Sequence, residues 1–148
     1  MLTPDPTLIE TSLAVIRAGQ KPGGAYLAAL DYPSYAYAWF RDGAFIAEAA
    51  DAYGDHAGAG AFHAWVLRTL ATQFAGMDEP GPGFVPPPER VLHTRYRADG
   101  TPGSGDWPNF QLDGFGTWLW AYARHVARGG SAGGPEERAT VRRLTRGG

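Results

Sequence analysis

The stretch that decides the fold is SYAYAWFRDGAFIAEAADAYG, residues 34–54, in which an aromatic-rich segment leads directly into a helical pattern. The spacing predicts a helix over residues 42–53 that Gly54 closes. Its apolar stripe consists of Phe45, Ile46, Ala49, Ala50 and Tyr53. An aromatic ring, a cation and a carboxylate, those of Trp39, Arg41 and Asp42, are therefore gathered where this helix begins.

Working outward, the same reasoning predicts an all-α chain of four to five helices. A first helix runs through Leu8 and Ile16 and stops at Gly19, and a third covers residues 58–75. A fourth covers residues 111–128, and a fifth starts at Pro135. Residues 20–38 are predicted as a loop with a short extended piece. Residues 78–106 are predicted as a long Pro/Gly-rich loop with one short edge strand within Leu92–Arg97.

Composition limits the classes of function. A chain of 148 residues has room for one domain, and a net charge of −2 with an isoelectric point near 6.0 gives no electrostatic basis for binding nucleic acid or an anionic membrane. The sequence holds no cysteine, which excludes disulfides and suits a reducing compartment. We see no export signal and no apolar run long enough to span a bilayer, so the predicted location is cytoplasmic.

A second cluster resembles the first in its design. In SGDWPNFQLDGFGTWLWAY, residues 104–122, Trp107, Gln111 and Asp113 precede or open the predicted fourth helix. Indole faces pack against the C–H faces of sugars, while carboxylates and guanidinium groups bind hydroxyls, so two such sets at one end of a helical bundle favour a polyol site. The alternative is structural, with the tryptophans as core anchors and the acids as charges that complement the helix dipoles.

These two blocks resemble glycoside hydrolase family 15, the glucoamylases, glucodextranases and related bacterial trehalases. The block YAYAWFRDGAFIAEAADAYG is similar to the family's Tyr-x-Tyr-x-Trp-x-Arg-Asp motif, and HTRYRADGTPGSGDWPNFQLDGFGTWLWAY is similar to its next segment. The resemblance covers roughly residues 34–126. It implies an N-terminal fragment of an (α/α)6 toroid, in which six helical hairpins present loops to a sugar pocket at one end.

The resemblance also implies which residues bind the substrate. Two aromatic residues resemble the walls around the non-reducing glucose, an Arg-Asp pair resembles the group that binds its hydroxyls, and an arginine stands where the family often has lysine. Gln111 and Asp113 match family positions for which a structural role is the alternative to sugar binding. The substrate-binding set implied in this way is Tyr35, Trp39, Arg41, Asp42, Arg95, Trp107 and Gln111.

No catalytic residue is predicted in this chain. Inverting glycosidases use two carboxyl groups about 6.5–9.5 Å apart, and the family's catalytic glutamates lie in segments beyond those matched here. We therefore expect residues 1–148 to form a partial domain, truncated before those glutamates and inactive by itself, from an enzyme that releases glucose from α-glucans or related glucosides.

Other interpretations stay open at this point. The chain could be a non-catalytic carbohydrate-binding or regulatory module, as the phosphorylase kinase regulatory subunits resemble this family, an inactive truncated gene product, or a helical interaction protein whose aromatic residues are all core. The four histidines form no convincing ligand group, so no metal and no cofactor is predicted. The expected partners are an oligosaccharide or glucoside substrate and the missing C-terminal part of the domain, with no nucleic acid and no membrane.

Overall fold

The computed structural model describes residues 5–77, 91–105 and 111–146. Within them it shows five α-helices and two short strands, which confirms the predicted all-α class. The helices are α1 (Pro6–Gly19), α2 (Phe40–Ala52), α3 (His56–Phe74), α4 (Leu112–Ala127) and α5 (Pro135–Arg146). Each predicted helix is present, with its bounds displaced by three residues or fewer. In the described part of the chain, no helix is both long and apolar enough to cross a membrane.

Local signals set the helix ends. Asp5 caps α1 by accepting a hydrogen bond from the backbone N–H of Thr7 at 2.9 Å, and proline occupies the first helical position. The link between α2 and α3 turns at Gly54, whose φ of +94° lies in the left-handed region that glycine adopts without strain. Asp55 then caps α3 through the backbone N–H of Gly58. This short link folds α3 back along α2 as an antiparallel neighbour.

The two helices that carry the predicted site, α2 and α4, run parallel to each other. Arg41 near the start of α2 contacts Asp113 at the start of α4, while Glu48 further along α2 contacts Arg124 near the end of α4. Both helices therefore begin at the same end of the bundle, which is the condition under which the two helix-start clusters face one region. Helix α3 packs against both of them, α5 packs against α3, and α1 packs against α2.

Two strands of two residues each, β1 (Ala38–Trp39) and β2 (Arg95–Tyr96), pair antiparallel beside the start of α2. The register places Ala38 opposite Tyr96 and Trp39 opposite Arg95. The predicted extended piece and edge strand are thus real but short. After Tyr96 the chain turns, with the N–H of Arg97 donating to the carbonyl of Thr101 at 2.8 Å, which ends the strand. The parts of the predicted long loop at 78–90 and 106 lie outside the described residues.

Aromatic residues from α2, α3, α4 and β2 fill the core. Phe40 stacks on Tyr96 with ring centroids 4.9 Å apart, and Trp65 meets Phe40 edge to face at 5.8 Å. Trp118 of α4 is fully buried. The start of α2 therefore packs against the β1–β2 pair through Phe40 and Tyr96. Trp39, the last residue of β1, is held next to this contact by its pairing with Arg95.

One face formed by α2 and α4 is exposed and carries mainly apolar or small side chains. Phe45 and Trp120 meet across the two helices at a ring-centroid distance of 6.0 Å. We call this surface the open face. It consists of Phe45, Ala49, Ala52, Leu112, Gly116, Trp120, Ala123 and Ala127, all exposed.

Candidate functional site

Three rings from the YAYAW segment cluster before α2. The ring centroids of Tyr35 and Trp39 lie 5.9 Å apart, and Tyr37 meets Trp39 edge to face at 6.2 Å. Backbone hydrogen bonds hold the segment, since the N–H groups of Ala28 and Ala29 donate to the carbonyls of Tyr37 and Tyr35. Trp39 is only 4% exposed and Tyr35 is 45% exposed. Of this pair, Tyr35 therefore carries most of the accessible aromatic surface.

The charged part of the site joins the first turns of α2 and α4. The guanidinium of Arg41 donates a hydrogen bond through Nη1 to Asp113 Oδ2 at 2.7 Å. Its Nη2 lies 3.4 Å from Oδ2 of Asp42, the next residue. The hydrogen bond to Asp113 raises the pKa of Arg41, and the same bond lowers the pKa of Asp113. The site therefore brings one guanidinium into contact with the carboxyl groups of two acidic residues.

The predicted convergence of two helix-start clusters is present at these charged residues. Arg41 and Asp42 come from α2 and Asp113 comes from α4, although 72 residues separate Arg41 from Asp113 in the chain. Both acids lie in the first turn of their helices, where a negative charge complements the helix dipole. Trp107, the predicted aromatic member of the second cluster, lies outside the described residues.

Arg95 is placed behind the aromatic cluster. Its side chain is only 8% exposed, and its Nη2 donates to the backbone carbonyl of Ser104 at 2.6 Å. The guanidinium carbon also lies 4.6 Å from the ring centroid of Tyr37, a cation–π distance. In this structure Arg95 supports the ring of Tyr37, and its contact with sugar stays a prediction.

Gln111 immediately precedes α4 and is half-buried. It occupies the N-cap position, yet its side chain makes no capping hydrogen bond to the helix. Gln111 thus lies at the end of the bundle where α2 and α4 begin, the same end as Arg41. Whether it binds sugar stays a prediction.

Two surface grooves lie away from these residues. One of about 380 Å³ separates α3 from the turn at residues 99–102, and an apolar one of about 200 Å³ separates α1 from α2. Neither is lined by a member of the predicted substrate-binding set. The site as described is thus separate from both grooves and lies at the end of the bundle where α2 and α4 begin.

Two residues that contact members of the predicted substrate-binding set, Tyr37 and Asp113, do not themselves belong to that set. Tyr37 alternates with Tyr35 and Trp39, and this spacing of two could have indicated a shared face in extended backbone. The contact of Asp113 with Arg41 depends on how α2 and α4 pack. Among the described residues no group of three or more histidines and carboxylates could hold a metal ion.

Comparison with known proteins identifies relatives of this arrangement. The sequence model of glycosyl hydrolases family 15 matches residues 8–143. The isomaltose glucohydrolase of Kribbella flavida is 45% identical over 128 residues, which cover 83% of this chain and 33% of that protein. The chain therefore spans about a third of the length of this relative.

Solved structures agree. A wild-type glycosidase superposes with a TM-score of 0.83 at 41% identity, covering 95% of this chain and 39% of that one. A glutamate-to-alanine variant of a glycosidase, solved in complex with glucose, superposes with a TM-score of 0.80 at 41% identity and the same coverage. These matches confirm the predicted fold and the predicted family resemblance.

Proposed function

Because the chain belongs to glycosyl hydrolases family 15, we propose that it is part of an inverting glycoside hydrolase that releases glucose from α-glucans or related glucosides. Residues 1–148 form a partial domain in this proposal. They carry the half of the site that holds the non-reducing glucose, and the rest of the domain completes the pocket. The matched relatives support a partial domain, because this chain spans only 33–39% of their length.

The observation that carries the proposal is the bridge between Arg41 and Asp113 beside the Tyr35–Trp39 ring pair. It brings charged hydrogen-bonding groups and aromatic surface to one end of two parallel helices. In the proposed complex a glucose ring packs on the aromatic surface. Asp42 accepts hydrogen bonds from its hydroxyls, and Arg41 donates to them.

The proposal assigns the acid and base chemistry to residues outside this chain. Glu48 is unsuitable as a general acid, because Arg124 and Arg128 bind it and the hydrogen bond from Arg128 lowers its pKa. Glu136 and Glu137 lie in the first turn of α5, which packs against α3 and not beside the site. We therefore expect no turnover of maltooligosaccharides, isomaltose or trehalose by this chain alone.

The proposed partners are the oligosaccharide or glucoside substrate and the helices that complete the domain. No nucleic-acid or membrane partner forms part of the proposal. A cytoplasmic location is proposed as well, and the cysteine-free composition is its support.

Titration with D-glucose, followed by two-dimensional NMR, tests the proposal. We expect saturable shifts at Trp39 and at residues of the first turn of α2. Asp42→Asn should weaken binding by about 10- to 100-fold, because a hydrogen bond to a charged group is worth about 1.5–3 kcal/mol. Glu10→Gln, on the exposed surface of α1, serves as a control and should leave the affinity unchanged. Absence of saturable binding by the wild-type chain would refute the half-site.

A further inference from the structure

We propose that Asp113 is a positioning residue, which holds the guanidinium of Arg41 in the orientation that sugar binding requires. The inference rests on the proposed function and adds a residue to it. Asp113 makes the shortest polar contact in the charged cluster, 2.7 Å from Oδ2 to Nη1 of Arg41. It acts through Arg41, since its Oδ2 atom accepts a hydrogen bond from the guanidinium.

Arg41 is in a place where an unassisted arginine is unfavourable. It lies in the first turn of α2, where the partial positive charge of the helix N-terminus repels a cation. Its side chain is 39% exposed, so packing restrains it only in part. A long side chain with several rotamers loses conformational entropy when a ligand fixes it. A second carboxylate beside Arg41 counters both effects.

The path of α4 brings that carboxylate close to the start of α2. A side-chain carbon added at Gly114 would lie 3.8 Å from the backbone nitrogen of Arg41. The first turn of α4 therefore runs close beside the backbone of α2. This approach sets Asp113 on one side of the guanidinium, while Asp42 lies on the other at 3.4 Å.

Stability does not account for the Arg41–Asp113 pair. Asp113 is 54% exposed, and ion pairs between exposed groups contribute little to folding. A stronger connection between the same helices exists further along them. There Glu48, only 14% exposed, is bound by Arg124 and by Arg128 at 2.6 Å each. The helices are thus joined without Asp113, and its contact is available for orienting Arg41.

The test compares Asp113→Asn with the wild-type chain in glucose titrations and in NMR relaxation of the Arg41 side-chain Nε–H group. We expect the dissociation constant for glucose to rise about two- to tenfold, the effect of leaving one side chain to be ordered by the ligand. The Arg41 order parameter should fall in the same variant. In an Arg41→Gln background, Asp113→Asn should have no further effect on affinity.

Glu48→Gln is the matched control, because it weakens a different ionic link between α2 and α4, the one from Glu48 to Arg124 and Arg128. It should lower the melting temperature and leave glucose affinity and Arg41 order unchanged. The inference is wrong if Asp113→Asn leaves the Arg41 order parameter unchanged, or if Glu48→Gln lowers glucose affinity equally. Should the wild-type chain bind no glucose, the proposed function fails separately, and the relaxation measurement still decides whether Asp113 orders Arg41.

Discussion

At the scale of single residues, Gly43 shows how closely α2 and α3 approach. A methyl group at this position would overlap the ring of Phe62, which is fully buried. We expect Gly43→Ala to lower the free energy of unfolding by about 1–3 kcal/mol, the usual effect of overpacking a core. Chemical denaturation would measure it.

Gly116 offers the matched control for that substitution. It also lies within a helix, but an added methyl group would meet nothing within 4 Å. Gly116→Ala should stabilise the chain by up to about 1 kcal/mol through helix propensity. Equal effects of the two substitutions would contradict the packing explanation.

The sequence was sufficient to predict which residues gather at the start of α2, but not how each is oriented. The Arg41–Asp42 pair follows directly from adjacency and from the helical period. The burial of Trp39 depends on β2, a strand more than fifty residues away that covers it in register with Arg95. The contact of Arg95 with Tyr37 depends on that same pairing. No local pattern reports such a partner.

At the scale of secondary-structure elements, a cluster of polar residues joins α2, α3 and α4, in which Asp51, His63 and His125 are buried and His56 is exposed. Asp51 of α2 contacts His56 of α3 at 2.6 Å, and it contacts His125 of α4 at 3.3 Å. His63 of α3 lies against His125 with ring centroids 4.9 Å apart, and both rings are buried. The ends of three helices therefore meet at ionisable groups.

This cluster predicts a loss of stability in acid. Burial, reinforced by nearby His125, lowers the pKa of His63 to about 4. The unfolded chain takes up that proton near pH 6.5, whereas the folded chain takes it up near pH 4. The free energy of unfolding is therefore unaffected by His63 above pH 6.5. Between pH 6.5 and 4 it falls, by about 3 kcal/mol in total, because the unfolded chain binds the proton and the folded chain does not.

Thermal denaturation as a function of pH would measure this effect. His63→Phe should flatten the profile between pH 6.5 and 4, because phenylalanine takes up no proton. Phe62→Leu, which changes a buried residue of the same helix that takes up no proton, is the control; it should lower stability at every pH and keep the slope. An unchanged slope in His63→Phe would assign the acid sensitivity to other groups, of which Asp51 and Glu48 are the closest carboxylates.

Helix existence was more predictable than helix pairing. The apolar stripes of α1 to α4 repeat every three to four residues, and caps or glycines mark their ends, so each was visible in the sequence. The parallel packing of α2 and α4 is seen only in long-range contacts of the structure, such as the ion pair of Glu48 with Arg124, two residues 76 positions apart in the chain. Local periodicity carries no information at that range.

At the scale of the whole molecule, the open face is an exposed and mainly apolar surface on two neighbouring helices. Its aromatic pair, Phe45 and Trp120, is exposed on parallel helices in a surface of small residues suited to helix packing. In the proposed complete domain, further helices cover this surface. The chain alone should therefore self-associate.

Sedimentation velocity over a range of concentrations would detect that association. Replacing Phe45 and Trp120 together by serine should weaken it by about a hundredfold or more, since burying one large apolar side chain contributes about 1.5–3 kcal/mol. Leu30→Ser removes an exposed leucine from a loop outside the open face and should have no effect. A wild-type chain that stays monomeric at high concentration would contradict the prediction.

The separation of Arg41 from Asp113 has a consequence for synthesis on the ribosome. The two lie 72 residues apart, so at about 5–20 residues per second roughly 4–14 seconds pass between the synthesis of Arg41 and that of Asp113. During that interval α2 and α3 can already form their hairpin. The Arg41–Asp113 contact thus becomes possible only after the α2–α3 hairpin has been synthesised, and a pause in translation after Phe74 and before Asp113 would delay the contact without delaying the hairpin.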